Sequence, residues 1–417
     1  MRLSSSFSLL LVVLLTACSK ADPVVPAAPT ASAAPVAVKA SPAAWLRYPE
    51  PNIPLSAAAT LGKQLFFDVG LSASGKMSCA SCHSPEHAYA APNQLAMQLG
   101  GRDMQQSGTR TVPSLRYLDY TPKFTRHFYQ PSAEGVEDEG PTGGFTHDGA
   151  LDSRAAQAAV PLLAAHEMAN LDAAGFVQSL RHSSSASAFI QLYGAATLEQ
   201  PQQALAQAGL ALEAFQTEDF SFHPYRSKFD AVVAGKQTLS DSEARGFIVF
   251  HDAAKGNCAK CHSDRVGAGG RPAQFTDFAF AALGVPRNAA IPANKNPAYF
   301  DLGLCGPYRH DLKAESEYCG MFKTPTLRNV ATRQVFFHNG VFHSLDEVVH
   351  FYAERDRHPE KWYAKRAGKV LRYDDLPARL RGNVNHVDEP FKASSASHMS
   401  EAEMQDLIAF LKTLNDE

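Results

Sequence analysis

Cys79-Ala80-Ser81-Cys82-His83 and Cys258-Ala259-Lys260-Cys261-His262 are the two stretches that decide how this chain folds. Cys-x-x-Cys-His is the attachment pattern of c-type haem. Its two thiols bond the porphyrin vinyl groups, and the adjacent imidazole is thereby brought under the iron as proximal ligand. A zinc site made from two Cys-x-x-Cys pairs has no need of a histidine directly after each pair. A thioredoxin-like redox pair lacks that histidine altogether. The two pentapeptides therefore predict two covalently attached haems, held by Cys79, Cys82 and His83 and by Cys258, Cys261 and His262.

The flanks of the two motifs are alike. Leu61-Gly62-Lys63-Gln64-Leu65-Phe66-Phe67-Asp68 leads into the first, and Arg245-Gly246-Phe247-Ile248-Val249-Phe250-His251-Asp252 into the second. Each has apolar residues at helical spacing followed by a turn. This predicts a duplication of a cytochrome c-like unit, with an N-terminal haem domain over 46–225 and a C-terminal one over 226–417. Near the boundary, Phe220 to Pro224 ends a helix begun at Pro201. Ser240 with Glu243 three residues on forms a capping box that starts the next. Glu401 to Leu414 reads as a closing amphipathic helix. Strand-like alternation is scarce, so the expected fold is mainly α, with long loops around the haems.

The 39 basic and 42 acidic residues leave no strong field to argue for nucleic acid, and 45% hydrophobic residues suffice for real cores. Residues 1–17 read as an export signal, with Arg2 before the apolar run Leu9 to Leu15. Leu15-Thr16-Ala17-Cys18 resembles a bacterial lipobox, which implies cleavage before Cys18 and a lipid anchor on it. An ordinary signal peptide also fits the run, and in either case the protein leaves the cytoplasm. Residues 18–45, rich in Ala and Pro, read as a tether, and the periplasm is the expected location. Of seven cysteines, Cys305 and Cys319 remain; an oxidising compartment favours a disulfide between them, worth about 3 kcal/mol by loop closure.

Five further segments extend the pattern: Met77–Ala90, Gly108–Leu115, Gly143–Asn170, Phe322–Val330 and Phe336–Tyr352. With the haem motifs, they make residues 46 to 415 resemble the bacterial di-haem cytochrome c peroxidase and MauG family. The resemblance implies that the haem at His83 meets peroxide and the haem at His262 passes electrons. It also implies a distal glutamine and, ten residues on, a catalytic glutamate; Gln157 and Glu167 match in type and spacing. A carboxylate above an open iron can take a proton from peroxide and return it to the departing oxygen. The sixth ligand of the second haem, methionine in some members and tyrosine in MauG-type ones, falls on Tyr352. Met321, His343 and His350 compete for that role.

The chain also departs from the family. Histidine, in His147-Asp148-Gly149, stands where members usually carry an inter-haem tryptophan, leaving it to substitute, bind iron or merely hydrogen-bond. Thr111 stands where the family's inter-haem Ca2+ takes an asparagine, so calcium has only backbone carbonyls near Arg333 and Val335. His87 follows His83 too closely to be a distal ligand, and the next histidine is His127, so an open first haem is expected. Three functions follow. The first is a peroxidase fed by a small c-type cytochrome or cupredoxin. The second is a MauG-like oxidase acting on a protein substrate, and the third a non-enzymatic carrier, against which Gln157 and Glu167 argue.

Overall fold

In a computed structural model, residues 46–51, 53–132, 135–392 and 398–417 are described. The expected signal segment, the tether and Cys18 lie outside them.

Helix α1 (Ala57–Phe67) starts at Ser56, whose hydroxyl accepts from the Ala59 amide. A single turn, α2 (Cys79–Cys82), carries the first haem motif. Helices α3 (Arg154–Leu163), α4 (Ala173–His182), α5 (Ala186–Tyr193) and α6 (Pro201–Glu218) complete the first half. In the second half come α7 (Lys228–Val233), α8 (Asp241–His251), α9 (Leu345–Glu354), α10 (Pro359–Trp362) and α11 (Glu401–Lys412). The Ser240–Glu243 capping box is present at the start of α8. Helix α6 runs past Phe215, where the apolar pattern that predicts it from Pro201 ends, to Glu218.

The strands are short antiparallel pairs: β1 (Leu99–Gly100) with β2 (Gln106–Ser107), and β3 (Tyr129–Ser132) with β4 (Gly135–Asp138). The others are β5 (Phe280–Ala281) with β6 (Phe322–Lys323), and β7 (Lys365–Arg366) with β8 (Lys369–Val370). Three of these ladders have two residues a side, too short to print an alternation on the sequence.

Two large hydrophobic cores form among the described residues, beside a small cluster around Cys305 and Cys319. One gathers buried residues from Leu61 to Phe222, the other from Phe229 to Leu414. They are organised by the same crossing. In the first, α1 lies on α6 so closely that a Cβ on Gly62 would fall 1.9 Å from the Ala211 carbonyl oxygen and 2.9 Å from the Phe215 Cβ. In the second, α8 lies on α11, and a Cβ on Gly246 would fall at the same 1.9 Å and 2.9 Å from Asp406 and Phe410. Phe66 packs edge-on to Phe215, and Phe250 packs against Phe410. A missing side chain at each crossing is thus what lets two helices hold each motif from behind. Gly246→Ala should destabilise by about 3 kcal/mol, the upper end of overpacking, because the obstacle is backbone and cannot rotate away. Gly382→Ala, with nothing within 4 Å of its added Cβ, should leave the thermal midpoint unchanged.

Among the described residues, no helix is long and apolar enough to cross a membrane.

Candidate active site

The cysteine motifs are built alike. Each closes one helical turn, with the His83 amide donating to the Cys79 carbonyl at 2.8 Å and the His262 amide to Cys258 at 2.8 Å. The turn puts both thiols of a pair on one side. None of the four is drawn into a disulfide, and all line the cavity, where they could attach a haem.

Behind each motif lies the same carbonyl cradle. His83 Nδ1 lies 3.0 Å from the Tyr89 carbonyl, and Pro113 offers a second carbonyl. His262 Nδ1 lies 3.2 Å from the Phe275 carbonyl and 3.1 Å from that of Pro325. Nδ1–H donation to a carbonyl leaves Nε2 as the ring's lone-pair nitrogen, the tautomer an iron ligand needs. Burial holds both imidazoles down to about 4, so they are neutral at pH 7. The carbonyls are aimed by strained backbone: Tyr89 has φ +55° and Phe275 φ +53°, unusual for aromatic residues. Each bend is pinned by a hydroxyl, Ser114 Oγ donating to the Ala88 carbonyl and Thr326 Oγ1 to the Gln274 carbonyl, both at 2.6 Å. The role of these residues in aiming the imidazoles escaped the sequence reading. The signal that could have found them is the repeat of Val112-Pro113-Ser114-Leu115-Arg116 as Thr324-Pro325-Thr326-Leu327-Arg328.

One cavity of about 740 Å³ is lined by both motifs and by Gln157, Glu167, His147 and Tyr352. Gln157 projects from α3. Glu167 sits in the turn after α3, where its amide donates to the Ala164 carbonyl and its carbonyl accepts from Gly101. Asn170 locks that turn by donating to the Leu71 and Leu162 carbonyls. The Glu167 carboxyl has no charged partner, and burial alone pushes it up to about 7. It lies near enough to Cys82 to raise that thiol. His166 lines the cavity beside it and leans on Gly108; the sequence reading did not single it out.

Tyr352 stacks on Phe337 with ring centres 5.9 Å apart and turns toward Cys258 and Cys261. Burial raises its phenol well above the ordinary range. Its competitors are placed elsewhere. His350 binds Glu401 at 2.9 Å on the outer side of α9, His343 is exposed, and Met321 does not line the cavity.

His147 Nε2 lies 3.0 Å from the Thr111 carbonyl, so of its three open roles hydrogen bonding is the one that has a partner in the structure. Burial and Arg110 hold its imidazole down to about 3, making it neutral there. The residues around Thr111 do not fit calcium. The Thr111 hydroxyl donates to the Phe337 carbonyl, and the Val335 carbonyl accepts from the Arg333 guanidinium, a cation already in place. The Cys305 and Cys319 sulfurs are joined, with Cα atoms 5.0 Å apart.

The family model described as di-haem cytochrome c peroxidase matches residues 56–238. The methylamine utilization protein MauG of Paracoccus denitrificans is 32% identical over 368 residues, covering 86% of this chain and 89% of that protein. A cytochrome-c peroxidase of Pseudomonas sp. (strain SCT) is 26% identical over 323 residues, covering 73% of this chain and 74% of the relative. Among solved structures, the diheme peroxidase BthA of Burkholderia thailandensis is similar at 35% identity and a TM-score of 0.76, covering 89% of this chain and 90% of that one. Similarity of this extent, spanning both cysteine motifs, means that the chain belongs to the di-haem cytochrome c peroxidase and MauG family, oxidoreductases that carry two c-type haems.

Proposed function

We propose that the protein reduces hydrogen peroxide at a haem held by Cys79, Cys82 and His83, with electrons passed through a second haem held by Cys258, Cys261 and His262. The observation that carries this is the Glu167 carboxyl, desolvated and without a counter-ion in the cavity shared with Cys82 and Gln157. A purely electron-carrying cytochrome has no use for such a group.

A haem held by Cys79, Cys82 and His83 would supply an open iron for peroxide chemistry, and one held by Cys258, Cys261 and His262 would supply the electrons. What the chain does is move protons. Glu167 as carboxylate accepts the proton that peroxide sheds, and as carboxylic acid returns it to the leaving oxygen, which departs as water. A group poised near 7 can do both at neutral pH. Gln157, on the same cavity wall, offers an amide to orient the bound peroxide. His83, neutral and aimed by two carbonyls, provides the proximal nitrogen. The equivalence of the two carbonyl cradles and the two glycine crossings supports descent of 46–225 and 226–417 from one duplicated haem unit. Export to the periplasm and a lipid on Cys18 belong to the same proposal, resting on residues 1–18 alone.

The pH dependence follows from the state that must react first. Below about 7 Glu167 is protonated and cannot accept, so kcat/KM for peroxide should fall about tenfold per pH unit beneath that point. It should be level above. A stopped-flow profile flat from pH 5 to 8 discards Glu167 as the base.

A second reading is favoured by Tyr352, whose phenol opens on the cavity beside the second motif. Tyrosinate ligation would hold that iron at low potential and suit it to sharing oxidising equivalents with a protein substrate, as the MauG relatives suggest. Mixing the di-haem protein with stoichiometric peroxide, with and without reduced cytochrome c, separates the two. Fast oxidation of the cytochrome supports the peroxidase; a persistent oxidised state that ignores it supports the protein oxidase.

A further inference from the structure

Arg333 lines the cavity between the two cysteine motifs. Its Nε donates to the Val335 carbonyl and a terminal N–H to the Val112 carbonyl, both at 3.4 Å. Both contacts are long, and both are to neutral groups. Surrounding protein pulls its guanidinium down to about 10, and no acid pulls it back.

Arg333 is half-buried, open to the cavity, yet the arginines buried outright among the described residues are all paired. Arg154, Arg309, Arg328 and Arg355 each have a carboxylate oxygen within 2.9 Å. Arg110, on the same cavity, is held by Asp148 at 2.7 Å and Asp301 at 2.6 Å. Lys323 donates to the Gly144 carbonyl in the field of Asp148. A desolvated cation without a counter-charge is costly, so the partner of Arg333 is to be sought on the open side, in the cavity. The position says which partner. Val112 directly precedes Pro113, one of the carbonyls facing His83. Val335 lies two residues before Phe337, the ring stacked on Tyr352. The guanidinium therefore stands between the cradle of the first motif and the wall of the second. Haem c attaches through its vinyl edge, and its other edge carries two ionised propionates.

We propose that Arg333 is the fixed counter-cation of haem propionates in the gap between the two haem sites, and that its hold on the Val112 and Val335 carbonyls makes the gap independent of a divalent metal. This rests on both motifs carrying haem. A planar, permanently charged fork matches a carboxylate pair. By offsetting propionate charge near the iron, it also raises the reduction potential of the haem it serves.

The test is potentiometric and needs no turnover. Haem count by mass is taken first; fewer than two haems in the wild-type protein would fail the di-haem reading itself. Arg333→Leu should keep both haems yet lower the midpoint of at least one. The expected change is about tenfold in its ferrous-to-ferric ratio at a fixed applied potential, about 59 mV for a one-electron couple. Chelation of wild-type protein with EGTA should move neither midpoint. Unchanged midpoints in a two-haem Arg333→Leu protein overturn the proposal. So does an EGTA-induced shift reversed by calcium. If the leucine variant does not mature, Arg333→Lys serves: it keeps the charge but loses the fork. Its propionate bending band in the resonance Raman spectrum should move, and an unmoved band is equally fatal.

Discussion

Glu167→Gln should lower the rate of peroxide reduction by about 10³-fold while both haems remain attached and the visible spectrum of the resting protein is nearly unchanged. Glutamine fills the same space and can still donate a hydrogen bond, but it cannot accept peroxide's proton. The loss must therefore appear in the reaction with peroxide and not in delivery of electrons from a donor. Single-turnover mixing separates the two, because it follows the first step directly. The acid limb of the pH profile near 7 should vanish with the carboxyl. A variant that reacts at the wild-type rate would return Glu167 to the status of a residue buried for packing. The surroundings make that outcome testable rather than ambiguous: the turn is fixed by backbone contacts to Ala164 and Gly101 and by Asn170, none of which uses the Glu167 side chain.

Tyr352→Met should raise the midpoint potential of the second haem by on the order of 0.2 V, within the ~0.8 V range that axial ligands span. A thioether is a neutral donor that favours ferrous iron, whereas a tyrosinate is an anion that favours ferric. Burial lifts the Tyr352 phenol above its ordinary range, so it is neutral in the bare chain, and its ligation would release a proton as iron takes the oxygen. Stepwise potentiometry of wild type and variant checks this, and an unmoved midpoint would remove Tyr352 from the coordination sphere. Tyr352→Met would also test the choice between functions. If low potential is what sustains protein oxidation, the variant should behave more like a plain peroxidase toward reduced cytochrome c.

The chemistry-bearing residues were legible because their spacing is rigid. Cys79 to His83 and Cys258 to His262 announce themselves, and the Gln157–Glu167 interval and the place of Tyr352 carry over from family resemblance. The structure brings Gln157, Glu167 and Tyr352 to the wall of the cavity that both motifs line. The helix start at Ser240 could be read from local capping chemistry. What could not be read depends on backbone direction. Tyr89 and Phe275 adopt positive φ without glycine to signal it. The partner of His147 is a carbonyl, which every residue possesses. Arg333 was noticed for its carbonyl and not for its side chain, which lines the cavity. Fold class as helical with long loops was accessible; the two-residue ladders were not.

The matched cradles have a consequence for how two sites in one chain can diverge. Carbonyls of Tyr89 and Pro113 on one side, and of Phe275 and Pro325 on the other, give the two imidazoles the same electron-donating push. Backbone oxygens survive any point substitution, so that push is hard for mutation to retune at one site alone. On the roles proposed for Glu167 and Tyr352, specialisation would be written at the stretches of cavity wall they line, and swapping residues there is the direct route to exchanging the labour of the two halves.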